Sequence, residues 1–288
     1  MIYFFNFLRW IFRPVFWLPA PLAINIMRLA GELTYQIARL TPIRKTVANN
    51  FKMVLPDADP HKLADRSLSN AGYSIFEIIC APYFKRRHVD RVIKVIGIEN
   101  LDAALAERKG AICLCMHSGN YELLAVMLAS HGYHLTSVMK APPGDSLYKF
   151  LNPSRLYKGS KLINILDGNM YRECLQALAR HRCVGILVDT GAREGRHEMM
   201  PFLGHKVPVA TGWTTLAQRS EAPVVPFFSK REGDKVVFVI GEPLHVYRDN
   251  KAKMMEAVRK FYENMVKSHP DQWAIFLSEP EVKRMLGQ

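Results

Sequence analysis

The sequence predicts an α/β fold: a mostly parallel sheet flanked by helices, preceded by an N-terminal helical segment that associates with a membrane. Three observations carry this. Short apolar runs alternate with helix-period segments from residue 92 onward, the pattern of a sheet covered on both faces. Glycines close the helical stretches, at Gly110 and Gly132. The first 31 residues are dense in Phe, Trp, Leu and Ile and contain no acid before Glu32.

In that opening stretch the charges before Glu32 are Arg9, Arg13 and Arg28, and the longest uncharged run, Pro14 to Met27, is 14 residues. A spanning helix needs about 20, and Pro14, Pro19 and Pro21 interrupt a straight one. No small-residue cleavage site of a secretory signal is visible. Arginines flanking Trp10 and Trp17 suit a segment in the headgroup region or dipping partway into the bilayer. Residues 1–40 are therefore expected as the membrane-associating segment; a soluble core helix is the other reading.

"TPIRKTVANNFKMVLP" (41–56) reads as a short basic helix stopped by Pro56. "DPHKLADRSLSNAGYSIFEIICAPYF" (59–84) opens with an Asp-Pro helix start and keeps helical apolar spacing. The basic cluster "KRRHVDR" (85–91) leads out of it. Strands are then expected at 92–97, 111–116, 134–139, 183–189, 223–228 and 235–240, with helices at 98–110, 121–132, 170–181, 211–221 and 250–269. No internal repeat or low-complexity segment interrupts this order.

Lys and Arg number 39 against 26 acids, a formal charge of +13. That balance favours anionic partners: nucleic acid, acidic proteins or phosphate-bearing lipids. A basic surface kept for solubility is the plainer alternative. Five cysteines, an odd number in a long chain, imply no disulfide framework and fit a reducing compartment. Neither a dinucleotide fingerprint, a P-loop nor a zinc spacing is present, so no cofactor and no metal are expected.

The chemistry-bearing stretch is "AICLCMHSGNYELL", residues 111–124. His117 falls where the strand ends, and Glu122 follows five residues later, the one such spacing among the ten histidines. Ligands of open α/β sheets bind outside the carboxyl ends of strands. Gly119 allows a sharp turn, Asn120 is a good helix cap, and the N–H groups of the helix start can receive an anion or an oxyanion. A histidine beside a carboxylate is a natural general base for a hydroxyl attacking an acyl thioester. A satisfied structural histidine is the alternative, and the spacing does not choose.

Cys113, Cys115 and His117 alternate onto one strand face, but three such positions span about 13 Å and converge poorly on one metal ion. Ser118 lacks the G-x-S-x-G surroundings of a nucleophile elbow.

"HSGNYE" has the H-x-x-x-x-(D/E) form of lysophospholipid and lipid A acyltransferases. The surrounding text resembles the late acyltransferases of lipid A biosynthesis, the lauroyl and myristoyl transferase family within the lysophospholipid acyltransferase superfamily. The likeness runs through "RKTVANNFKMVLP", "IGIENLDAALAERKGAICLCMHSGNYELL", "GDSLYKFLNPSR", "VGILVDTGAREGRHEMMPFLGHKVPVATGWTTLAQRSEAPVVPFF" and the closing "HPDQWAIF". It covers nearly the whole chain, in order.

The resemblance implies an enzyme on the cytoplasmic face of the inner membrane. Its acyltransferase domain would occupy residues 41–288 and move a fatty acyl group from acyl carrier protein or coenzyme A to a lipid hydroxyl. His117 is then the base and Glu122 its partner, and Asp189 matches an acidic family position that approaches the histidine in some relatives; a helix cap or loop carboxylate is its plainer reading. Lys140 and Arg155, with Gly119 and Asn120, are candidates for contacts to the donor or to a phosphorylated lipid acceptor; ordinary solvated charges are the alternative for the first two. The family's Asp-Gln is Asp189-Thr190 here, and "AIFLSEPEVKR" replaces its aromatic-arginine ending. These departures leave the acceptor open among a lipid A precursor, another glycolipid and a lysophospholipid. A thioesterase or hydrolase using water, and a basic binding protein without catalysis, are the competing functions. No nucleic-acid module is legible.

Overall fold

The computed structural model describes residues 2–142, 144–189 and 197–287. The acidic loop expected after Asp189, residues 190–196, lies outside them.

The chain opens with α1 (Ile2–Phe12), a single turn at Pro14–Trp17, and α2 (Ala20–Arg39). The prolines fall in the connection and in the first turn of α2, where a missing N–H costs no helical bond. Next come α3 (Ile43–Val54) and α4 (Pro60–Cys80), the latter capped by Asp59, whose carboxylate accepts from His61 N and Lys62 N at 3.0 and 3.1 Å.

The α/β part follows as α5 (Arg86–Val92), β1 (Ile93–Ile96), α6 (Ile98–Ala106), β2 (Ala111–Cys115), α7 (Leu124–Ser130), β3 (Leu135–Met139), α8 (Ser146–Arg155), β4 (Lys161–Asn164), α9 (Met170–Ala179) and β5 (Cys183–Leu187). A two-stranded unit, β6 (His197–Phe202) and β7 (His205–Ala210), precedes α10 (Gly212–Ser220). The chain finishes with β8 (Val224–Glu232), β9 (Lys235–Ile240), α11 (Lys251–Ser268) and α12 (Glu279–Met285).

Seven strands form the main sheet in the order β1-β9-β8-β2-β5-β3-β4. Five of them, β8, β2, β5, β3 and β4, run the same way, and β9 and β1 run opposite. The reversal has a simple cause. Two residues join β8 to β9, and so short a link can make only an antiparallel hairpin.

β2 lies in the middle of the sheet, and all five of its residues are buried. Ala111, Cys113 and Cys115 pack into one core with Phe12, Ile24, Val126 and Phe150. Ile112, Leu114 and Met116 pack into a second core with Phe51, Leu216, Val258 and Phe276. A continuous apolar run is thus what a strand covered on both faces requires. All five cysteines are buried and unpaired.

α2 packs along α4 at a close crossing of Gly31 and Gly72. A Cβ on Gly72 would lie 2.7 Å from the Gly31 carbonyl oxygen, and one on Gly31 would lie 2.9 Å from Tyr73 Cα. Gly72→Ala is therefore expected to destabilise the protein by about 1–3 kcal/mol through forced separation of the two helices. A thermal melt checks this: the midpoint falls by several degrees, and an unchanged midpoint would mean the helices part freely. Among the described residues no helix is long and apolar enough to cross a membrane.

Candidate active site

Strand register builds the site. β2 and β5 are parallel neighbours with Cys115 opposite Leu187. Two residues beyond each paired end, His117 and Asp189 therefore lie side by side at the carboxyl edge of the sheet. The Asp189 carboxylate takes the His117 backbone N–H at 2.9 Å, meets His117 Nδ1 at 2.8 Å, and accepts the Trp273 indole N–H at 2.8 Å.

The side chain of Asp189 is 4% exposed and that of His117 is 24% exposed. Burial raises the Asp189 carboxyl, but the facing His117 charge and the N–H donors reverse that and leave it below the usual range. Burial likewise drives the His117 imidazole down. Asp189 overcomes this by charge and hydrogen bond, Glu122 adds to it, and His117 ends above its ordinary value. With Nδ1 committed to Asp189, Nε2 has no hydrogen-bond partner among the described residues. The Tyr121 ring stands edge-on to the imidazole at 4.8 Å.

The turn after His117 is held from behind. Gly119 has φ +51°, and a Cβ there would lie 2.6 Å from the Ser229 carbonyl oxygen; only glycine suits that conformation and approach. The segment Gln272–Ala274 straps across the same turn. Gly119 N donates to Gln272 O at 2.7 Å, Ala274 N donates to His117 O at 2.7 Å, and Ser118 bridges Trp273.

A cavity of about 470 Å³ opens beside the pair. Asp189, Met116 and Trp273 belong to its wall, and Met200, Phe202 and Met285 continue it as an apolar lining. Its size is that of a small-ligand site. The arrangement sets a histidine–carboxylate pair near a largely apolar pocket whose wall also carries Arg259, Glu281 and Arg284. Among the described residues no group of three or more His, Cys, Asp or Glu is placed to hold a metal ion.

A sequence profile described as Bacterial lipid A biosynthesis acyltransferase matches residues 2–279. The chain belongs to that family. This acyltransferase is 25% identical over 237 residues to the phosphatidylinositol mannoside acyltransferase of Mycobacterium tuberculosis (strain CDC 1551 / Oshkosh), covering 80% of this chain and 74% of the relative. It is 23% identical over 236 residues to the lipid A biosynthesis lauroyltransferase of Escherichia coli (strain K12), covering 79% and 75%. Among solved structures, the 1-acyl-sn-glycerophosphate acyltransferase PlsC of Thermotoga maritima aligns with TM-score 0.40 and 14% identity, covering 85% of this chain and 98% of that one.

The structure brings His117 and Asp189 together, the approach that the resemblance implied, while Glu122, Arg155 and Asn120 have other partners than expected. His117 pairs with Asp189, and Glu122 is instead gripped by Arg155, with Nε and Nη2 on its two oxygens at 2.7 and 2.5 Å. A guanidinium matches a carboxylate in two parallel bonds. Burial lowers the Arg155 pKa, and the Glu122 bonds and charge more than restore it. Arg155, expected as a ligand contact, makes these two bonds to a protein carboxylate.

Asn120, expected as a cap and ligand contact, is 2% exposed, makes no side-chain cap, and donates to Glu77 at 2.8 Å. Glu77 is in turn held by Arg231 at 2.9 and 2.8 Å. The Gly119 N–H, expected at a helix start open to an anion, is occupied by Gln272, and a single turn at Tyr121–Leu123 precedes α7. Lys140 is exposed and directly follows β3, the strand beside β5, at the same edge of the sheet. Trp273 was visible in the sequence only as part of a closing signature; its indole N–H on Asp189 is a contact across 84 residues.

Proposed function

We propose that the protein is an O-acyltransferase that moves a fatty acyl group from an acyl thioester, of acyl carrier protein or coenzyme A, to a hydroxyl of a lipid A precursor or related glycolipid. The observation that carries this reading is the His117–Asp189 pair with Nε2 unengaged, its Asp189 lining a largely apolar cavity. The acyl chain lies in the cavity, and the thioester carbonyl lies near His117.

Nε2 takes the proton of the acceptor hydroxyl as its oxygen bonds to the thioester carbon. Asp189 holds the tautomer that leaves Nε2 basic and stabilises the imidazolium. Collapse of the tetrahedral intermediate breaks the C–S bond. The departing sulfur receives the proton from Nε2, so ester and free thiol form and the histidine is regenerated. Glu122 favours the imidazolium, and the Arg155 paired with it offsets part of that effect.

Membrane attachment follows from residues 1–40. Tyr3, Phe4, Phe7 and Trp10 form one exposed stripe on α1, and Leu22, Leu29, Leu33 and Ile37 another on α2; an interfacial helix has this character. The basic surface suits an anionic leaflet, a phosphorylated acceptor and an acidic carrier protein, which fits the cytoplasmic face of the inner membrane.

The test is transfer of a labelled acyl group from acyl carrier protein and from coenzyme A to lipid A precursors, phosphatidylinositol mannosides and lysophospholipids. Acceptor-dependent ester formation on a glycolipid supports the reading. Ester on a lysophospholipid alone moves the acceptor class, and thioester loss without acceptor makes the enzyme a hydrolase.

A further inference from the structure

We propose that Arg9 is a positioning residue for the reaction: it ties the membrane-facing helix α1 to α8, the helix whose last residue, Arg155, holds Glu122 beside His117. Arg9 is 7% exposed although it sits in an apolar surface helix. Its Nη2 donates to the Phe150 carbonyl, and its guanidinium lies 5.0 Å from the centre of the Phe150 ring. On the same side of α1, Phe5 stacks on Phe150 at 4.1 Å, and Tyr83 Oη donates to the Arg9 carbonyl at 3.2 Å.

α8 needs such a tie. It has ten residues and carries Pro153 in its interior, which removes one helical hydrogen bond and crowds the carbonyl four residues back. Helices this short have little stability of their own. Arg9 grips α8 at Phe150, five residues or about 7.5 Å of helix rise before Arg155. α8 also rests against α7 and the Tyr121–Leu123 turn. A shift of α8 therefore moves the Arg155 guanidinium and, through its two bonds, the Glu122 carboxylate.

α1 faces two ways. Phe5, Leu8, Arg9 and Phe12 look inward, while Phe4, Phe7 and Trp10 look out, Trp10 with 70% of its surface exposed. A bilayer under the outer stripe holds α1 in its seat, and Arg9 carries that restraint to α8. Membrane docking then raises turnover as well as bringing the enzyme to its acceptor, the kinetic part resting on the acyl-transfer reading.

The test compares wild type, Arg9→Met and Arg9→Lys in full-length protein. Hydrogen exchange needs no substrate: Arg9→Met is expected to speed exchange in 146–155 and 121–123 while the strand amides keep their protection. Kinetically, Arg9→Met is expected to lower kcat about ten- to a hundredfold, the scale of a small misplacement, with KM changed less than twofold and Arg9→Lys in between. Vesicles of anionic phospholipid, which both proteins still bind in co-sedimentation, stimulate wild type and no longer stimulate Arg9→Met. In an Arg155→Met background the Arg9 change has no further effect on kcat, because both act through one carboxylate. Unchanged exchange in α8, or loss of kcat that adds in full to that of Arg155→Met, overturns the proposal. If α8 loosens while wild type transfers no acyl group to any acceptor, the α1–α8 tie stands and the acyl-transfer reading is what fails.

Discussion

His117→Ala lowers kcat/KM for acyl transfer about 10²–10⁴-fold, the contribution of a positioned general base. A loss in the middle of that range is about 4 kcal/mol of transition-state stabilisation. The variant folds, because His117 holds its neighbours mainly through its main chain: its N–H reaches Asp189 and its carbonyl accepts from Ala274. Alanine preserves both bonds. Steady-state kinetics with a matched circular-dichroism spectrum checks the result, and retention of more than a tenth of the activity would remove His117 from the mechanism.

The second large effect belongs to Asp189. Its Oδ2 accepts two N–H groups, from the His117 main chain and Trp273, while Oδ1 faces His117 Nδ1. An asparagine must keep its oxygen toward the two donors, so its NH₂ faces Nδ1. Nδ1 then becomes an acceptor, the ring proton moves to Nε2, and the base is lost. Asp189→Asn is expected to cost about 10³–10⁴-fold, the scale of a wrong-tautomer histidine.

The pH profile gives the sign. The base acts when neutral, so kcat/KM of the wild type rises with pH through the His117 pKa, which lies above its ordinary value because Asp189 outweighs burial. Without that carboxylate the imidazolium is less stable, and the residual activity of Asp189→Asn rises through a lower pH. A limb that stays in place, or moves up, would mean that Asp189 does not govern this titration.

Much of this was legible in the sequence, and the illegible part has a common cause. The alternation of strands and helices, the glycine turn and the place of His117 at a strand end are local properties, read within ten residues. His117 and Asp189 are 72 positions apart; the resemblance alone suggested their approach, and the register of β2 against β5 supplies its geometry. The Glu122–Arg155 bond escaped because Pro153 and Gly144 disguise α8 as loop. The antiparallel turn of β8 into β9 was hidden because the expected strands, 223–228 and 235–240, stand six residues apart, whereas β8 runs on to Glu232 and leaves only two. The strap at Gln272–Ala274 leaves no periodic mark at all, since it is three residues long and is held by main-chain bonds, the Gln272 side chain and the Trp273 indole.

That strap has a consequence for biogenesis. Synthesis runs from the N-terminus, and domains form as their segments emerge. α1 and α2 leave the ribosome before the strands, while Gln272–Ala274 emerges more than 150 residues after His117. The nascent chain thus carries its histidine turn unclamped until residues 272–274 appear, and a ribosome stalled with them in its tunnel displays an unfinished site. The N-terminal helical part of the molecule is therefore complete well before the site it frames.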